Sequence, residues 1–355
     1  MDLDVNQSVR DRYSEGAEER QADLCCPVDY DTSLLKILPS EIIEKDYGCG
    51  DPSRYVQSGD VVVDLGSGGG KICYIAAQLV GDSGQIIGVD MNDDMLSLAR
   101  QYQPEMAEKM GGDRVKFVKG RIQDLGVSID AQDAYLHANP ITSQEGIEAL
   151  TQWQVEQRAN SPLIEDSSVD LVISNCVLNL VDENDRAFML QDVFRVLKPG
   201  GRVAISDIIC DQLVPTHLKN DSTLWSGCIS GAFETEQFIA AFKAAGFHGV
   251  RYDKWDDQPW QVVEGIEFRS ATLTACKPEV ISDAQCEYTV IYRGPFDKVT
   301  DDFGQEYIRG RQTGVSHGVY EALQTSALAN DFVLPETKTT ATTGGCCAPS
   351  NNSCC

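Results

Sequence analysis

Residues 58–71 of the chain read SGDVVVDLGSGGGK. The β-branched run predicts a short buried strand, and the glycines after it predict a tight turn at which the backbone can approach a ligand. The next residues, KICYIAAQLV, carry apolar side chains at helical spacing, and Gly81 ends the helix that they predict. A strand, a glycine-rich turn and a helix in this order indicate either a ligand-binding turn or an ordinary connection, so the flanking sequence must decide.

The alternation of strand and helix continues along the chain. Amphipathic helices are predicted at 94–110 and 182–201. Four further strands are predicted at GQIIGVDMN (84–92), RVKFVKGRIQDL (114–125), SSVDLVISNCVLNLV (167–181) and GRVAISDII (201–209). This spacing predicts an α/β protein with a doubly wound, mainly parallel sheet of the Rossmann-like kind.

Composition and charge exclude several classes of protein. The 355 residues are 42% hydrophobic and carry a net charge of −26, so the chain can bury a core and is repelled by phosphate backbones and anionic lipid. No apolar run approaches the roughly 18 residues that span a bilayer. The first twenty residues are polar and show no secretory signal. We therefore expect no nucleic-acid partner, no membrane and a cytoplasmic location.

Composition shifts divide the chain into four parts. We expect an N-terminal arm at 1–46, a catalytic domain at 47–277, a small α+β appendage at 278–335 and a flexible cysteine-rich tail at 336–355. Residues 126–165 interrupt the catalytic domain as a long insertion, within which TSQEGIEALTQWQVEQRA predicts a surface helix. The tail is rich in Thr, Ser and Gly, which argues against a packed core of its own.

Acidic residues on both sides of the glycine turn define its ligand. Asp64 precedes the glycines, and Asp90 ends the next predicted strand, where it can bind ribose hydroxyls. A dinucleotide-binding turn keeps a third glycine for helix packing, and Lys71 occupies that position here. The pattern D-x-G-x-G-x-G instead resembles motif I of class I S-adenosylmethionine (SAM) methyltransferases, a family with a seven-stranded sheet and a cationic cofactor that has no phosphates.

The resemblance to motif I implies a set of cofactor contacts. The glycine turn passes under the methionine part of SAM, Asp90 holds the ribose, and residues 120–123 flank the adenine opposite Met91. Asn175, at the end of the fourth predicted strand, lines the sulfonium site. The cofactor residues implied in this way are Asp64, Gly66, Ser67, Gly68, Asp90, Met91, Arg121, Ile122 and Asn175.

Thirteen cysteines are a high number for a chain without an export signal. A reducing compartment would leave their thiols free, although the default role of any one cysteine is a small buried hydrophobe. Cys49, Cys176 and Cys228 lie in segments that the fold brings to the carboxyl edge of the sheet, where open α/β sheets bind ligands. Thiolates select soft centres such as trivalent arsenic, whose lone pair can attack a sulfonium methyl group.

The contexts of these cysteines, YGCG, SNCVLNL and GCISGA, together with motif I and VDM at Asp90, resemble arsenite SAM methyltransferases. The resemblance implies that Cys176 and Cys228 bind arsenic and that Cys49 is a third thiol able to form a disulfide that returns the product to the trivalent state. It also places Tyr47 against the cofactor. An N-terminal cysteine, either Cys25 or Cys26, completes the redox relay, which thioredoxin or glutathione regenerates.

The chain also departs from the family pattern. Its turn reads DLGSGGG rather than DLGCGTG, Leu178 stands where a second cysteine is common, and the insertion is long. Two alternatives therefore stay open: a SAM methyltransferase for another small molecule, and a thiol-rich metalloid-binding protein with little turnover. We expect no structural metal, because the paired tail cysteines are adjacent rather than at zinc-finger spacing. Those cysteines are Cys346, Cys347, Cys354 and Cys355.

Overall fold

The computed structural model describes residues 5–18, 28–45, 47–278, 288–301, 305–326 and 328–335. Contacts divide the chain into two compact units, one ending at Pro278 and the other beginning at Glu279. None of the described helices combines the length and the apolar character needed to cross a bilayer. Cys25, Cys26, Cys286 and the tail cysteines lie outside the described residues.

A mostly parallel sheet forms the centre of the larger unit. Its strands run in the order β4-β3-β2-β1-β5-β6-β10-β8, with β7 beside β6 and β9 beside β10. They are β1 Val61–Leu65, β2 Gln85–Asp90, β3 Val115–Arg121, β4 Asp124–Ser128, β5 Val169–Asn175, β6 Leu197–Cys210, β7 Phe233–Glu234, β8 His248–Trp255, β9 Gln261–Val263 and β10 Ile266–Cys276. The expected doubly wound fold is confirmed: β3-β2-β1-β5-β6-β10-β8 form the seven-stranded pattern, with β10 antiparallel, and β4, β7 and β9 are short additions.

Helices cover both faces of this sheet. They are α1 Val5–Glu18, α2 Thr32–Leu35, α3 Ser40–Glu44, α4 Lys71–Val80, α5 Asp93–Gln101, α6 Gln103–Met110, α7 Ile129–Ala138, α8 Gln144–Asn160, α9 Arg186–Val196, α10 Thr216–Lys219, α11 Ser222–Ser226 and α12 Thr235–Ala244. The single helix predicted at 94–110 is two helices, α5 and α6. They meet at Tyr102 because Pro104 occupies the first turn of α6, where its missing N–H costs nothing.

Two apolar clusters lie on opposite faces of the sheet. Alternate residues of β1 enter different clusters: Val62 packs on one side, and Val63 and Leu65 pack on the other. In β5, Leu171 and Val172 divide in the same way. Strands buried on both faces read as continuous apolar runs, which is why the sequence VVVDL is recognisable.

The insertion at 126–165 completes β4 and then forms a pair of helices, α7 and α8. The predicted surface helix is α8, and neither helix buries a residue fully. The ring of Tyr135 stacks on that of Trp153 at 4.7 Å, and Arg158 pairs with Asp124 at 2.7 Å, which holds the pair to the sheet edge.

The smaller unit has its own core. Its elements are β11 Tyr288–Tyr292, β12 Lys298–Thr300, β13 Glu306–Ile308, β14 Gln312–Val315, α13 His317–Thr325 and β15 Phe332–Val333. The strands β14-β11-β15 form one sheet, and β12 pairs with β13. Aromatic side chains fill the space between them, with the rings of Tyr288 and Tyr320 stacked at 4.1 Å.

Candidate functional site

The glycine turn is bound to the neighbouring strand by its backbone. The amides of Gly66 and Ser67 donate hydrogen bonds to the carbonyl oxygen of Val89 in β2, at 2.8 and 3.1 Å. Gly66 has a φ of +71°, and a Cβ there would lie 2.5 Å from the side chain of Val177. Only glycine therefore allows the strand β1 to turn into α4 at this distance from the loop after Cys176.

Asp90 closes the outer side of the turn. Its carboxylate accepts hydrogen bonds from the amides of Gly68 and Asn92, both at 2.8 Å. Burial raises the pKa of Asp90, and the two amides oppose that rise. The Asp90 carboxylate is thus a fixed hydrogen-bond acceptor at the end of β2, the position at which the sequence predicts a contact with the ribose.

A cleft with about 670 Å³ of free volume, part of it open to solvent, lies above the turn. The cleft contains the predicted ribose and adenine residues and also side chains from α1. Its walls are Val9, Tyr13, Gly66, Gly68, Asp90, Met91, Asn92, Met95, Gly120, Ile122, Gln123, Val177, Leu180 and Val181. An adjoining recess shares Tyr13, Gly66, Gly68, Met95 and Val177 and adds Lys45, Tyr47, Asp64, Ser67, Asn175 and Cys176 among others.

The cleft fits a cationic nucleoside that has no phosphates. The hydroxyl of Ser67 is buried and has no hydrogen-bond partner within the described chain, although it lies in the wall of the recess. A Cβ at Gly68 would meet nothing within 4 Å, so the turn is open on the ligand side. Carboxylates stand at both ends, Asp64 in the recess and Asp90 in the cleft.

Because the Ser67 hydroxyl has no hydrogen-bond partner in the described chain, removing it should have opposite effects on stability and on ligand affinity. A Ser67→Ala variant is expected to unfold at a higher temperature than the wild type without ligand, because a buried polar group without a partner is removed. The same change should weaken S-adenosylhomocysteine binding by about 3–10-fold through loss of one hydrogen bond. Thermal unfolding and calorimetric titration measure the two effects.

Ser174→Ala is the matched control, since the Ser174 hydroxyl already donates to Leu65 O at 3.2 Å. This variant should lose stability and keep the ligand affinity. A Ser67→Ala protein that is less stable than the wild type and binds S-adenosylhomocysteine equally tightly would show that the hydroxyl does not bind the ligand.

The structure separates Arg121 from the other predicted cofactor residues. Its side chain is exposed and does not line the cleft, whereas its neighbours Gly120 and Ile122 do. β3 ends at Arg121, whose side chain is exposed, and the turn that follows places Ile122 and Gln123 in the cleft wall. The lining residues that were not identified from the sequence include Val9 and Tyr13 of α1 and Lys45, directly after α3, because these segments carry no motif.

Cys49 and Cys176 form a disulfide, with Cα atoms 5.7 Å apart. Asn175 holds the first of them in place: its Oδ1 accepts from the amides of Cys49 and Gly50 at 2.9 and 3.0 Å, and its Nδ2 donates to Gly50 O at 2.8 Å. Asn175 thus lines the recess and also clamps the loop before β1. A Cβ at Gly48 would overlap the Asn175 amide, so the loop needs glycine at that position.

Cys228, in the segment after α11, lies close to the Cys49–Cys176 disulfide. Its Sγ lies 3.3 Å from the carbonyl oxygen of Cys176, and its side chain is buried. Cys176 and Cys228 both adopt left-handed backbone conformations, with φ of 62° and 63°. Such conformations are uncommon for residues other than glycine and concentrate at functional sites. The three cysteines predicted to meet are therefore gathered in one apolar cluster.

Arg186 joins the loops that carry Cys176 and Cys228. Its guanidinium donates to Val181 O at 3.1 Å and to Asn179 O at 3.3 Å in the first loop. It also donates to Gly231 O at 2.7 Å in the second loop. The guanidinium lies over the ring of Phe233, 4.3 Å from its centroid. A buried cation with carbonyl partners in both loops fixes the separation of the two thiols.

Asp207 is a carboxylate beside the sulfurs. One of its oxygens and the sulfurs of Cys49 and Cys176 all lie within 4.8 Å of one another. The carboxylate accepts from the amides of Leu178 at 3.0 Å and Ile208 at 2.8 Å. Burial raises the pKa of Asp207 from its ordinary 3.8 to about 7, although backbone hydrogen bonds oppose the rise. This group was not predicted, since an aspartate inside an apolar strand has no sequence signal.

The raised pKa of Asp207 predicts a pH effect on stability. Folding favours the protonated carboxyl, so this group's contribution is complete below pH 3.8 and is lost as pH rises through about 7. An Asp207→Asn variant should therefore gain stability relative to the wild type by roughly 4 kcal/mol between pH 4 and pH 8. Denaturant unfolding of both proteins across this range measures the difference, and parallel curves would contradict the assignment.

The larger unit matches a family model described as a methyltransferase domain, over residues 56–141 and 127–246, which together are more than half of the chain. Residues 282–353 match a domain of unknown function, DUF8838. An arsenite methyltransferase of Aquipseudomonas alcaligenes is 29% identical, over 92% of this chain and 90% of its own length. The arsenite methyltransferase of Homo sapiens is 27% identical, over 88% of this chain and 77% of its own length.

A solved structure of a methyltransferase that acts on arsenic is also similar to this chain. An arsenic (III) S-adenosylmethionine methyltransferase from Chlamydomonas reinhardtii superposes with a TM-score of 0.57 at 26% identity. The match covers 87% of this chain and 96% of that protein, so it extends beyond the catalytic sheet.

Proposed function

The chain belongs to the S-adenosylmethionine-dependent methyltransferases, and from this premise we propose that it transfers methyl groups to trivalent arsenic held by its own cysteine thiolates. SAM is its co-substrate. The acceptor is arsenite or methylarsenite, and the reaction is a step of arsenic detoxification.

One observation carries the choice of acceptor. Cys176 lines the same recess as Asp64 and Ser67, and Cys228 Sγ stands 3.3 Å from the carbonyl oxygen of Cys176. The methyl donor and a group of soft ligands are therefore adjacent. A methyltransferase for a carbon, nitrogen or oxygen acceptor has no need for thiols there, whereas a trivalent metalloid does.

The protein's part in the reaction is mainly positional. SAM supplies a methyl group on a cationic sulfonium. Asp90 would hold the ribose, and the turn at Gly66–Gly68 would lie under the methionine part of SAM. Cys176 and Cys228, once reduced, would hold arsenic with its lone pair toward the recess. Because both reactants are held in one geometry, the entropy cost of bringing them together is met on binding and not in the methyl-transfer step. The new bond joins carbon to arsenic, and the bond from carbon to the sulfonium sulfur breaks.

The thiols of Cys49 and Cys176 supply the two electrons that return arsenic to the trivalent state after methyl transfer. Arsenic that gives its lone pair to carbon is oxidised by two electrons, and two thiols that form the Cys49–Cys176 disulfide release two electrons and return it to the trivalent state. An external dithiol such as thioredoxin, or glutathione, must then reduce the disulfide. Cys25 or Cys26, outside the described residues, is the proposed relay between that reductant and the site.

The proposal is tested by incubating the protein with arsenite, SAM and a thiol, then separating arsenic species by chromatography with mass detection. Methylarsenic that increases with time and requires SAM is the expected result. Arsenite bound in stoichiometric amount with no methylated product would indicate a metalloid-binding protein instead. Consumption of SAM with another small molecule, but not with arsenite, would indicate a different acceptor.

A further inference from the structure

Helix α1 lies across the cofactor cleft although nothing in its sequence suggests a site. Val9 and Tyr13 contribute side chains to the cleft wall, and Tyr13 also lines the adjoining recess. Among the described residues of α1, only Tyr13 lines both the cleft and the recess. It therefore stands where the nucleoside end of the cleft meets the end that contains Cys176.

Three attachments hold α1 in this position. Arg12 donates to Ser226 Oγ at 3.2 Å, in the segment that leads to Cys228. Asn92, which caps α5 next to Asp90, donates to Ser14 Oγ at 3.0 Å. Tyr47, two residues before Cys49, donates to Gly16 O at 2.8 Å.

The helix is thus bound to Asn92 beside the cofactor cleft and to the segments that carry Cys49 and Cys228. A helix that merely covered an apolar surface would need no polar attachment to each of these elements. This arrangement makes the position of Tyr13 depend on the cofactor wall and on the Cys228 segment together.

The surroundings of Tyr13 are those of a group facing reactants. Its ring meets the ring of Tyr47 edge to face, with centroids 6.1 Å apart. Burial and the nearby Cys228, Asp207 and Asp90 raise the pKa of Tyr13, which keeps its hydroxyl neutral. Two electron-rich rings beside a recess that receives a cation form a cation–π site.

We propose that Tyr13 is a catalytic residue whose ring contacts the cofactor's sulfonium and closes the space between the cofactor and Cys228. The proposal rests on the proposed function for the identity of the cation. Its consequence is that binding of the cofactor fixes α1 and shields Cys228, so that arsenic is methylated away from bulk water.

The test uses two measurements that require no arsenic. Calorimetry gives the affinity for SAM and, separately, for S-adenosylhomocysteine, which lacks the positive charge. Peptide-level mass spectrometry gives the rate at which iodoacetamide labels Cys228 with and without S-adenosylhomocysteine. In the wild type, the ligand should slow labelling by about 10-fold or more, because it stabilises the closed position of α1.

Tyr13→Ala should weaken SAM binding by about 10-fold, weaken S-adenosylhomocysteine binding less, and reduce the protection of Cys228 to below about 2-fold. Tyr13→Phe keeps the ring and should stay within about 3-fold of the wild type in each measurement. Tyr135→Ala, which removes a tyrosine from α7 outside the cleft, should change neither.

Equal losses of the two ligands' affinities in Tyr13→Ala, or undiminished protection of Cys228, would overturn the proposal. So would a Tyr13→Phe variant as impaired as Tyr13→Ala. Because these readouts omit arsenite, they stand even if no methylarsenic is formed, and a failure of the arsenite assay alone bears on the proposed function rather than on Tyr13.

Discussion

Cys228→Ser is expected to lower arsenite methylation by at least about 100-fold, because a hydroxyl replaces one of two soft ligands. Cys176→Ser should have an effect of the same size, and it also removes the disulfide that links residue 176 to Cys49. Both variants should bind S-adenosylhomocysteine within about 2-fold of the wild type, since neither sulfur touches the nucleoside end of the cleft. Initial rates of methylarsenic formation and calorimetric titration provide the comparison.

The chain offers a matched control for these substitutions. Cys276 is a free, exposed cysteine at the end of β10, so Cys276→Ser makes the same chemical change away from the site. It should keep full activity. Full activity in Cys176→Ser or Cys228→Ser would mean that these cysteines only pack, and the acceptor would then be a different small molecule.

Gly231→Ala is expected to damage the site through packing alone. A Cβ at residue 231 would overlap the carbonyl oxygen of Asn179 and lie 2.9 Å from the Arg186 guanidinium. The loops that carry Cys176 and Cys228 would have to separate, and the hydrogen bond from Arg186 to Gly231 O would lengthen or break. We expect a loss of roughly 2 kcal/mol in stability and a 10- to 100-fold loss in methylation rate.

Gly112→Ala is the appropriate control, because a Cβ there meets nothing within 4 Å. Its stability and rate should match those of the wild type. If Gly231→Ala lost stability but methylated arsenite at the normal rate, the spacing of the two loops would not matter for the reaction, and the positioning role of Arg186 would be wrong.

The fold could be predicted because its signals are local. The β-branched strand at 61–65, the glycines after it and the regular alternation of strands and helices each follow from a few neighbouring residues. The break at Tyr102 and the three short strands could not be predicted from the pattern of apolar residues. They depend on how Pro104 begins a helix and on which sheet edges happen to be free.

The site was predictable only where a residue belongs to a motif. The α/β pattern located the glycine turn and Asp90, the resemblance to motif I implied Met91, and their contexts located the three cysteines. Arg121 is exposed at the end of β3 and does not line the cleft, because the turn after the strand, and not the motif, decides which of residues 120–123 line it. Tyr13 and Arg186 act through contacts with segments distant in sequence, so no local pattern marks either one.

X-ray absorption at the arsenic edge, on reduced protein loaded with one equivalent of arsenite, tests the claim on which the account depends. Arsenic surrounded by sulfur in the wild type, with one sulfur neighbour fewer in Cys228→Ser and in Cys176→Ser, is the predicted result. Arsenic bound only to oxygen, or a sulfur count that neither substitution changes, would contradict it.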